Sequence, residues 1–249
     1  MSVQNDRTVA VVEARMTSSR LPGKVLLPAA GKPMLGHLVE RLRRVPSIDE
    51  IVLATTINDS DEPLVEFARY SGISCFRGSE QDVMARVLGA GEAVNAGIIV
   101  NITGDCPLLD PVLTEQTVNM FLCNRCDYAT NGHVRTFPGG YAVQVYRLET
   151  LRRSASMTTD SLDHEHVTLH IRKHPEIFRH VYLVAPIDQH WPEIDLSLDE
   201  KSDYHLLKRI FEHFGDASPH FGCRETVALL KANPDWLAIN KDVKRKGDA

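Results

Sequence analysis

Short apolar runs alternate with stretches of helical period through the first half of the chain, and this alternation constrains the fold more than any other feature. Val9-Ala10-Val11-Val12, Ile51-Val52-Leu53-Ala54-Thr55 and Ile98-Ile99-Val100-Asn101-Ile102-Thr103 are too apolar to keep one wet face, so each predicts a buried strand, and residues 73–76 predict a further short one. Between them Leu35, Leu38, Val39 and Leu42 recur at i, i+3, i+4 and i+7. A helix is also expected over 64–70, and Val83, Val87, Ala90 and Val94 mark the inner face of another. Repeated in this order, the segments predict βαβ units: an α/β fold with a mostly parallel sheet. A further helix is expected over 111–121, because Pro111 suits a first helical turn.

The second half changes character. Pro138-Gly139-Gly140 is turn chemistry, and Tyr141-Ala142-Val143-Gln144-Val145-Tyr146 alternates as a half-exposed strand does. Such an antiparallel excursion suits the wall of a substrate pocket or a dimer contact. Helices are expected over 149–156, 164–174, 202–214 and 224–232. With no internal repeat, low-complexity tract or linker, residues 1–249 read as one domain, with a core over about 8–214 and a last helix and charged tail over 215–249.

Charge and cysteine usage exclude several functions. The net charge is −5 and the one basic cluster lies at 241–246, so the electrostatic footprint of a nucleic-acid binder is missing. No apolar run approaches the ~20 residues that span a bilayer, and residues 1–7 are polar rather than signal-like, so a cytoplasmic protein is expected. Five cysteines, an odd number, suit a reducing compartment. Cys123-Asn124-Arg125-Cys126 has CxxC spacing but no second Cys or His pair, which favours a structural or incidental role over zinc or redox chemistry.

The loop after the first strand concentrates the chemistry. Ala14-Arg15-Met16-Thr17-Ser18-Ser19-Arg20-Leu21-Pro22-Gly23-Lys24 offers two arginines, three hydroxyls, a glycine and a lysine, a set that can wrap a polyanion with side chains and backbone amides together. A solvated basic loop would have the same composition, but ligands of open α/β sheets sit beyond the carboxyl ends of the strands, where this loop lies. It is not a Walker loop, since Ser18 and Val25 stand where that motif needs a glycine and a hydroxyl residue. At the end of the strand over 98–103, Gly104-Asp105 places a carboxylate where it can hold Mg²⁺ against phosphate oxygens; alternatively Asp105 turns the chain or caps the helix at Pro111. Asp199 offers a second carboxylate, or else simply begins the helix that follows it.

Several motifs in order resemble a known family: Ala14-Arg15-Met16, Arg20-Leu21-Pro22-Gly23-Lys24-Val25-Leu26-Leu27, Gly31-Lys32-Pro33-Met34-Leu35, Phe76-Arg77-Gly78-Ser79, Thr103-Gly104-Asp105-Cys106-Pro107-Leu108, Glu165-His166-Val167-Thr168 and Leu198-Asp199. The chain resembles the spore coat polysaccharide biosynthesis protein F family, which is similar to the sugar-acid cytidylyltransferases that activate Kdo and acylneuraminates. The resemblance covers about residues 9–214. It implies a three-layer α/β/α, Rossmann-like nucleotide-diphospho-sugar transferase fold with a mostly parallel mixed sheet, and attack of a sugar hydroxyl on the α-phosphorus of CTP with release of pyrophosphate.

By the same likeness Arg15, Arg20 and Lys24 would neutralise the triphosphate, with Arg15, Lys24 and Asp105 as the catalytic groups. Asp105 and Asp199 would hold Mg²⁺. Arg77, Ser79 and Asp82 would border the base, while Ala14, Gly23, Thr103 and Gly104 complete the nucleotide site. Tyr141, Gln144, Glu165 and His166 would meet the acceptor, a sugar or sugar-like acid, and a homodimer would form through residues 136–146.

The chain also departs from the family. Many relatives read Pro-Arg-Gly-Leu-Asp-Val-Glu-Val where this chain has Pro138-Gly139-Gly140-Tyr141-Ala142-Val143-Gln144-Val145, losing a cation and two carboxylates, so an unusual acceptor is expected. Glu13 replaces a common Gln beside the base-binding backbone, and His164 a common Arg. His166, His170 and His174 fall at i, i+4, i+8, read here as a solvated or acceptor-facing stripe rather than a metal site. Asp59-Ser60-Asp61 reads as a helix cap. The expected function is therefore a Mg²⁺-dependent cytidylyltransferase for glycan or specialised metabolite assembly. A glycosyltransferase using a nucleotide sugar and a non-catalytic partner subunit are the alternatives.

Overall fold

The computed structural model describes residues 7–215, 218 and 220–245. Most of the polar start (1–6), and residues 216, 217, 219 and 246–249 of the charged tail with the end of its basic cluster, lie outside the described residues.

The apolar runs form the centre of a sheet. Strands β1 (Thr8–Glu13), β4 (Glu50–Thr56), β5 (Ser74–Gly78) and β6 (Ile98–Thr103) pair in parallel, with Glu13 flanked by Ala54 and Thr103. Between β1 and β4 lie the short hairpin β2 (Pro28–Ala29) and β3 (Lys32–Pro33) and helix α1 (Met34–Leu42). Helices α2 (Glu62–Ser71) and α3 (Val83–Ala93) follow β4 and β5, and α4 (Pro111–Cys123) follows β6. The remaining strands are β7 (Tyr128–Thr130), β8 (Gln144–Arg147) and β9 (His180–Tyr182). The sheet order is β5-β4-β1-β6-β8-β7-β9, and only β8 runs against the rest.

Both faces are covered, as the continuous apolar runs require. Ala10 and Val12 pack on Leu35 and Leu38 of α1, Leu64 of α2 and Phe121 of α4. Val9 and Val11 face Val87 of α3, Leu151 of α5 (Leu148–Ala155) and Ile171 of α7 (Leu169–Lys173). A third cluster joins Tyr141 and Leu198 to α8 (Lys201–Phe214) and α9 (Cys223–Ala232). The result is a three-layer, Rossmann-like arrangement of a mixed, mostly parallel sheet. The chain winds outward from β1 through β4 to β5 and then crosses back by α3 to β6 on the other side of β1, and this reversal opens a crevice at the carboxyl ends of β1 and β6.

Two expectations change. The alternation over 141–145 holds, with Tyr141, Val143 and Val145 buried and Ala142 exposed, but the ladder begins only at Gln144 and Tyr146 is buried as well, because β8 lies between β6 and β7 with side chains packed on both faces. The segment 164–174 is not one helix: α6 (Ser161–Glu165) ends, Val167 takes φ +31°, and α7 begins afresh. The break separates His166 from the other two histidines, whose ring centroids stay 4.6 Å apart. His166 faces the crevice, His170 is buried against Ser154, and His174 pairs with Glu176.

Candidate active site

The carboxyl ends of β1 and β6 open into a cavity of about 300 Å³. The basic loop enters it because two features close the loop on itself. Gly23 adopts φ +71°, a left-handed conformation that a side chain would strain, and its N–H donates to the Met16 carbonyl at 2.9 Å. From below, the fully buried Asp61 carboxylate accepts from the Met16 N–H (2.7 Å) and from the Thr55 (3.0 Å) and Thr56 (2.6 Å) hydroxyls. Asp61 therefore does not cap α2 with its side chain; it anchors the loop. Burial opposes its charge, but the Thr56 hydroxyl and these other donors hold the carboxyl below its ordinary value.

Lys24 follows Gly23 on a 3-10 turn (Lys24–Leu26) and is buried. Its Nζ lies 2.9 Å from Asp105 Oδ2 and 3.1 Å from Asp199 Oδ1. Burial works against the ammonium charge, yet the two carboxylates outweigh it and hold Lys24 above the usual lysine value. Asp199 is held low in turn: burial opposes ionisation, and Lys24, Arg20 and Arg245 prevail.

Backbone contacts bring the acids together across the chain. Gly104 donates its N–H to the Glu13 carbonyl at 2.8 Å, an approach in which a Cβ would meet that oxygen at 2.8 Å. Leu198 N–H donates to the Asp105 carbonyl at 2.8 Å, tying the Asp199 segment to the Asp105 loop. The capping alternatives fall to other residues. Asp110 caps α4, Glu200 and Asp203 form the capping box of α8, and Asp105 and Asp199 are left to Lys24.

Arg20 reaches Asp199 at 2.7 Å, and the exposed Arg15 pairs with Glu80 at 3.2 Å. Ala14, Thr103, Gly104, Glu165 and His166 line the cavity with them. Gly23 does not line it and acts through its backbone conformation. Arg77, Ser79 and Asp82 do not line it either. Arg77 donates to the Thr56 and Asn58 carbonyls (2.9 Å each) and pairs with Glu62, holding the β4–α2 connection. Ser79 accepts the Asp82 N–H, and Asp82 caps α3 and pairs with His164 at 2.9 Å. Tyr141 is fully buried and has no surface to offer a substrate. Gln144 opens instead onto a neighbouring cavity of about 160 Å³ that shares Thr103 with the first.

The sequence reading missed Arg86 and Arg245, and left Glu13 without a role. Arg86 and Glu13 line the cavity, and burial lifts the Glu13 carboxyl to about 7 against the opposing hydrogen bond from Asn101. Arg86 carries a detectable signal, a charge on the apolar stripe of Val83, Val87 and Ala90. Arg245 contacts Asp199 (3.5 Å) and Asp203 (2.6 Å) from the tail, where no periodicity announces it.

Comparisons with known proteins identify the family. A family model described as cytidylyltransferase matches residues 9–231. The chain is 34% identical over 230 residues to the spore coat polysaccharide biosynthesis protein SpsF of Bacillus subtilis, covering 90% of this chain and 94% of that one. It is 36% identical over 117 residues to a 3-deoxy-manno-octulosonate cytidylyltransferase of Nitratidesulfovibrio vulgaris, 45% of this chain and 44% of that relative. A solved cytidylyltransferase from Leptospira borgpetersenii serovar Hardjo-bovis overlays with a TM-score of 0.88 at 30% identity, over 97% of this chain and 100% of that one. The chain belongs to the cytidylyltransferase family of nucleotidyltransferases.

Proposed function

We propose that this protein is a Mg²⁺-dependent cytidylyltransferase that transfers CMP from CTP to the hydroxyl of a sugar or sugar-like acid, for glycan or specialised metabolite assembly. One observation carries the reading: Lys24, Asp105 and Asp199, far apart in sequence, meet at one point of the cavity beside Arg20. The names of the relatives, a polysaccharide biosynthesis protein and a 3-deoxy-manno-octulosonate cytidylyltransferase, support the class of acceptor.

In the reaction the acceptor oxygen bonds to the α-phosphorus while the bond from that phosphorus to the β-phosphate bridging oxygen breaks. The electron pair leaves with pyrophosphate, and the acceptor proton passes to water. Attack on a polyanion is slow chiefly through charge repulsion, so fixed cations supply most of the acceleration. Lys24 and Arg20, held by carboxylates before the nucleotide arrives, are preorganised for this; the exposed Arg15 closes from the rim. Asp105 and Asp199 fit a magnesium ion as hard oxygen donors in a mainly polar cleft, and would hold it. Among the described residues no cluster of three or more His, Cys, Asp or Glu could hold a metal, so phosphate oxygens and water would complete the shell. When bound, the ion screens triphosphate charge.

The same reading carries a cytoplasmic homodimer. Phe137, Tyr141 and Val143 of the 136–146 segment are spent on this chain's own core, so the dimer contact falls to the exposed Val134, Val184 and Ile187 beside it. Sedimentation of a Val184→Asp, Ile187→Asp variant tests this, with a monomer expected.

A pyrophosphate-release screen tests the function directly, with each nucleoside triphosphate, Mg²⁺, and a panel of sugar acids and neutral sugars. Release from CTP alone with a restricted set of acceptors is expected. Release from none, or consumption of a UDP- or GDP-sugar instead, refutes the reading.

A further inference from the structure

The proposed use of CTP also requires a place for the base. Besides Lys24, Asp105 and Asp199, the cavity is lined by Glu13, Ala14, Val83 and Arg86. Small apolar surfaces there suit the faces of an aromatic ring, and the two charged groups are set to read its edge.

Glu13 has one free oxygen, and its identity is fixed by a buried relay. The Tyr146 hydroxyl donates to Asn101 Oδ1 at 2.7 Å, which orients the amide so that Asn101 Nδ2 donates to Glu13 Oε1 at 2.5 Å. Glu13 Oε2 makes no hydrogen bond among the described residues. Arg86 is only 4% exposed, and its Nη1 donates to the Ser79 and Glu80 carbonyls. Its Nε is buried without a partner, and Nη2 has none among the described residues. The opposite charges of Glu13 and Arg86 act on one another, yet the two side chains form no ion pair. An unused acceptor and unused donors thus line the same cavity, near enough for their charges to act on one another but not paired. Buried charges left in this state cost free energy unless something completes them.

We infer that Glu13 and Arg86 read the base of the nucleotide: Glu13 Oε2 accepts from the exocyclic amine of cytosine, and the Arg86 guanidinium donates to the adjacent ring nitrogen or carbonyl. Uracil presents an oxygen where cytosine has the amine and would set it against the carboxylate. A site built to hydrogen-bond one group rejects an analogue that leaves it unpaired.

Glu13→Gln tests the assignment. Its Oε1 keeps the Asn101 bond, and an –NH₂ donor replaces the free acceptor. Pyrophosphate release is measured with CTP and with UTP, and binding of inorganic triphosphate by calorimetry. The ratio of kcat/KM for CTP to that for UTP is expected to fall at least tenfold, mainly through KM, with triphosphate binding unchanged. An unaltered ratio overturns the inference. An equal loss of kcat with both nucleotides would make Glu13 part of the chemistry instead, and a parallel loss of triphosphate binding would make it structural; either overturns it. A wild-type protein that releases pyrophosphate from no nucleotide overturns the proposed function as well, whereas a wild type and a variant that favour CTP equally overturn this assignment alone.

Discussion

Glu13→Gln is also expected to stabilise the protein at alkaline pH while changing little in acid. Burial lifts the Glu13 carboxyl from 4.5 to about 7, although Asn101 and Arg86 oppose it. An acid with a raised folded value keeps its proton longer in the folded state. Below 4.5 both states are protonated and nothing is lost; between 4.5 and 7 the unfolded chain ionises first and stability falls as pH rises; above 7 the full penalty is present. A rise of that size corresponds to at most about 3 kcal/mol. The side chain is partly reached from the cavity, so a cost of roughly 1–3 kcal/mol is expected. In urea unfolding at pH 5 and pH 8, the advantage of the variant should grow by about 2 kcal/mol between the two, as a shift in midpoint with an unchanged slope. An advantage of the same size at both pH values, or a loss at pH 8, would refute the reasoning. An ionisable group kept at a stability cost inside a cleft is what a functional role produces.

Asp61→Asn should weaken the fold by about 2–3 kcal/mol in urea unfolding, because a carboxylate that accepts several buried hydrogen bonds is replaced by a group that can accept fewer. Turnover should fall with it, since the Met16 backbone sets the course of the Lys24 loop. The Asp61 and Asp199 carboxyls are both held below 3.8, so their stabilisation is present above that pH and lost as pH falls through the lower folded values. Asp199→Asn should flatten the acid limb of a stability-versus-pH curve, and an unchanged limb would speak against the Lys24 pairing. Chelation by EDTA should abolish pyrophosphate release and added Mg²⁺ restore it; release that persists in EDTA would remove the ion from the reaction.

The parallel half of the sheet was legible because buried strands leave a continuous apolar signature; the 98–103 strand falls where the pattern put it. The meeting of Lys24, Asp105 and Asp199 was legible only through the order of motifs, since no local pattern reports that Leu198 donates to the Asp105 carbonyl. The resemblance gave Tyr141 to the acceptor, but alternation already turned it inward, and helices α8 and α9 from later in the chain close over it. The 164–174 helix broke at Val167, whose positive φ no propensity would choose. Arg77 has the charge of a nucleotide ligand, but it sits on the edge strand β5 and finds the carbonyls of the β4–α2 connection first. Asp61 resembled a cap in sequence and became an anchor, because the turn that holds it folds back under a loop forty-five residues away.

The convergence of Lys24 with Asp105 and Asp199 on the triphosphate is tested most directly by the rate of pyrophosphate release from CTP in Lys24→Met against wild type, at saturating Mg²⁺ and acceptor. Loss of one fixed cation facing the transition state should slow release by roughly 10²–10³-fold, about 3–4 kcal/mol, with the circular dichroism spectrum retained. Equal rates in a folded variant would contradict the placement of the triphosphate at this point of the cavity.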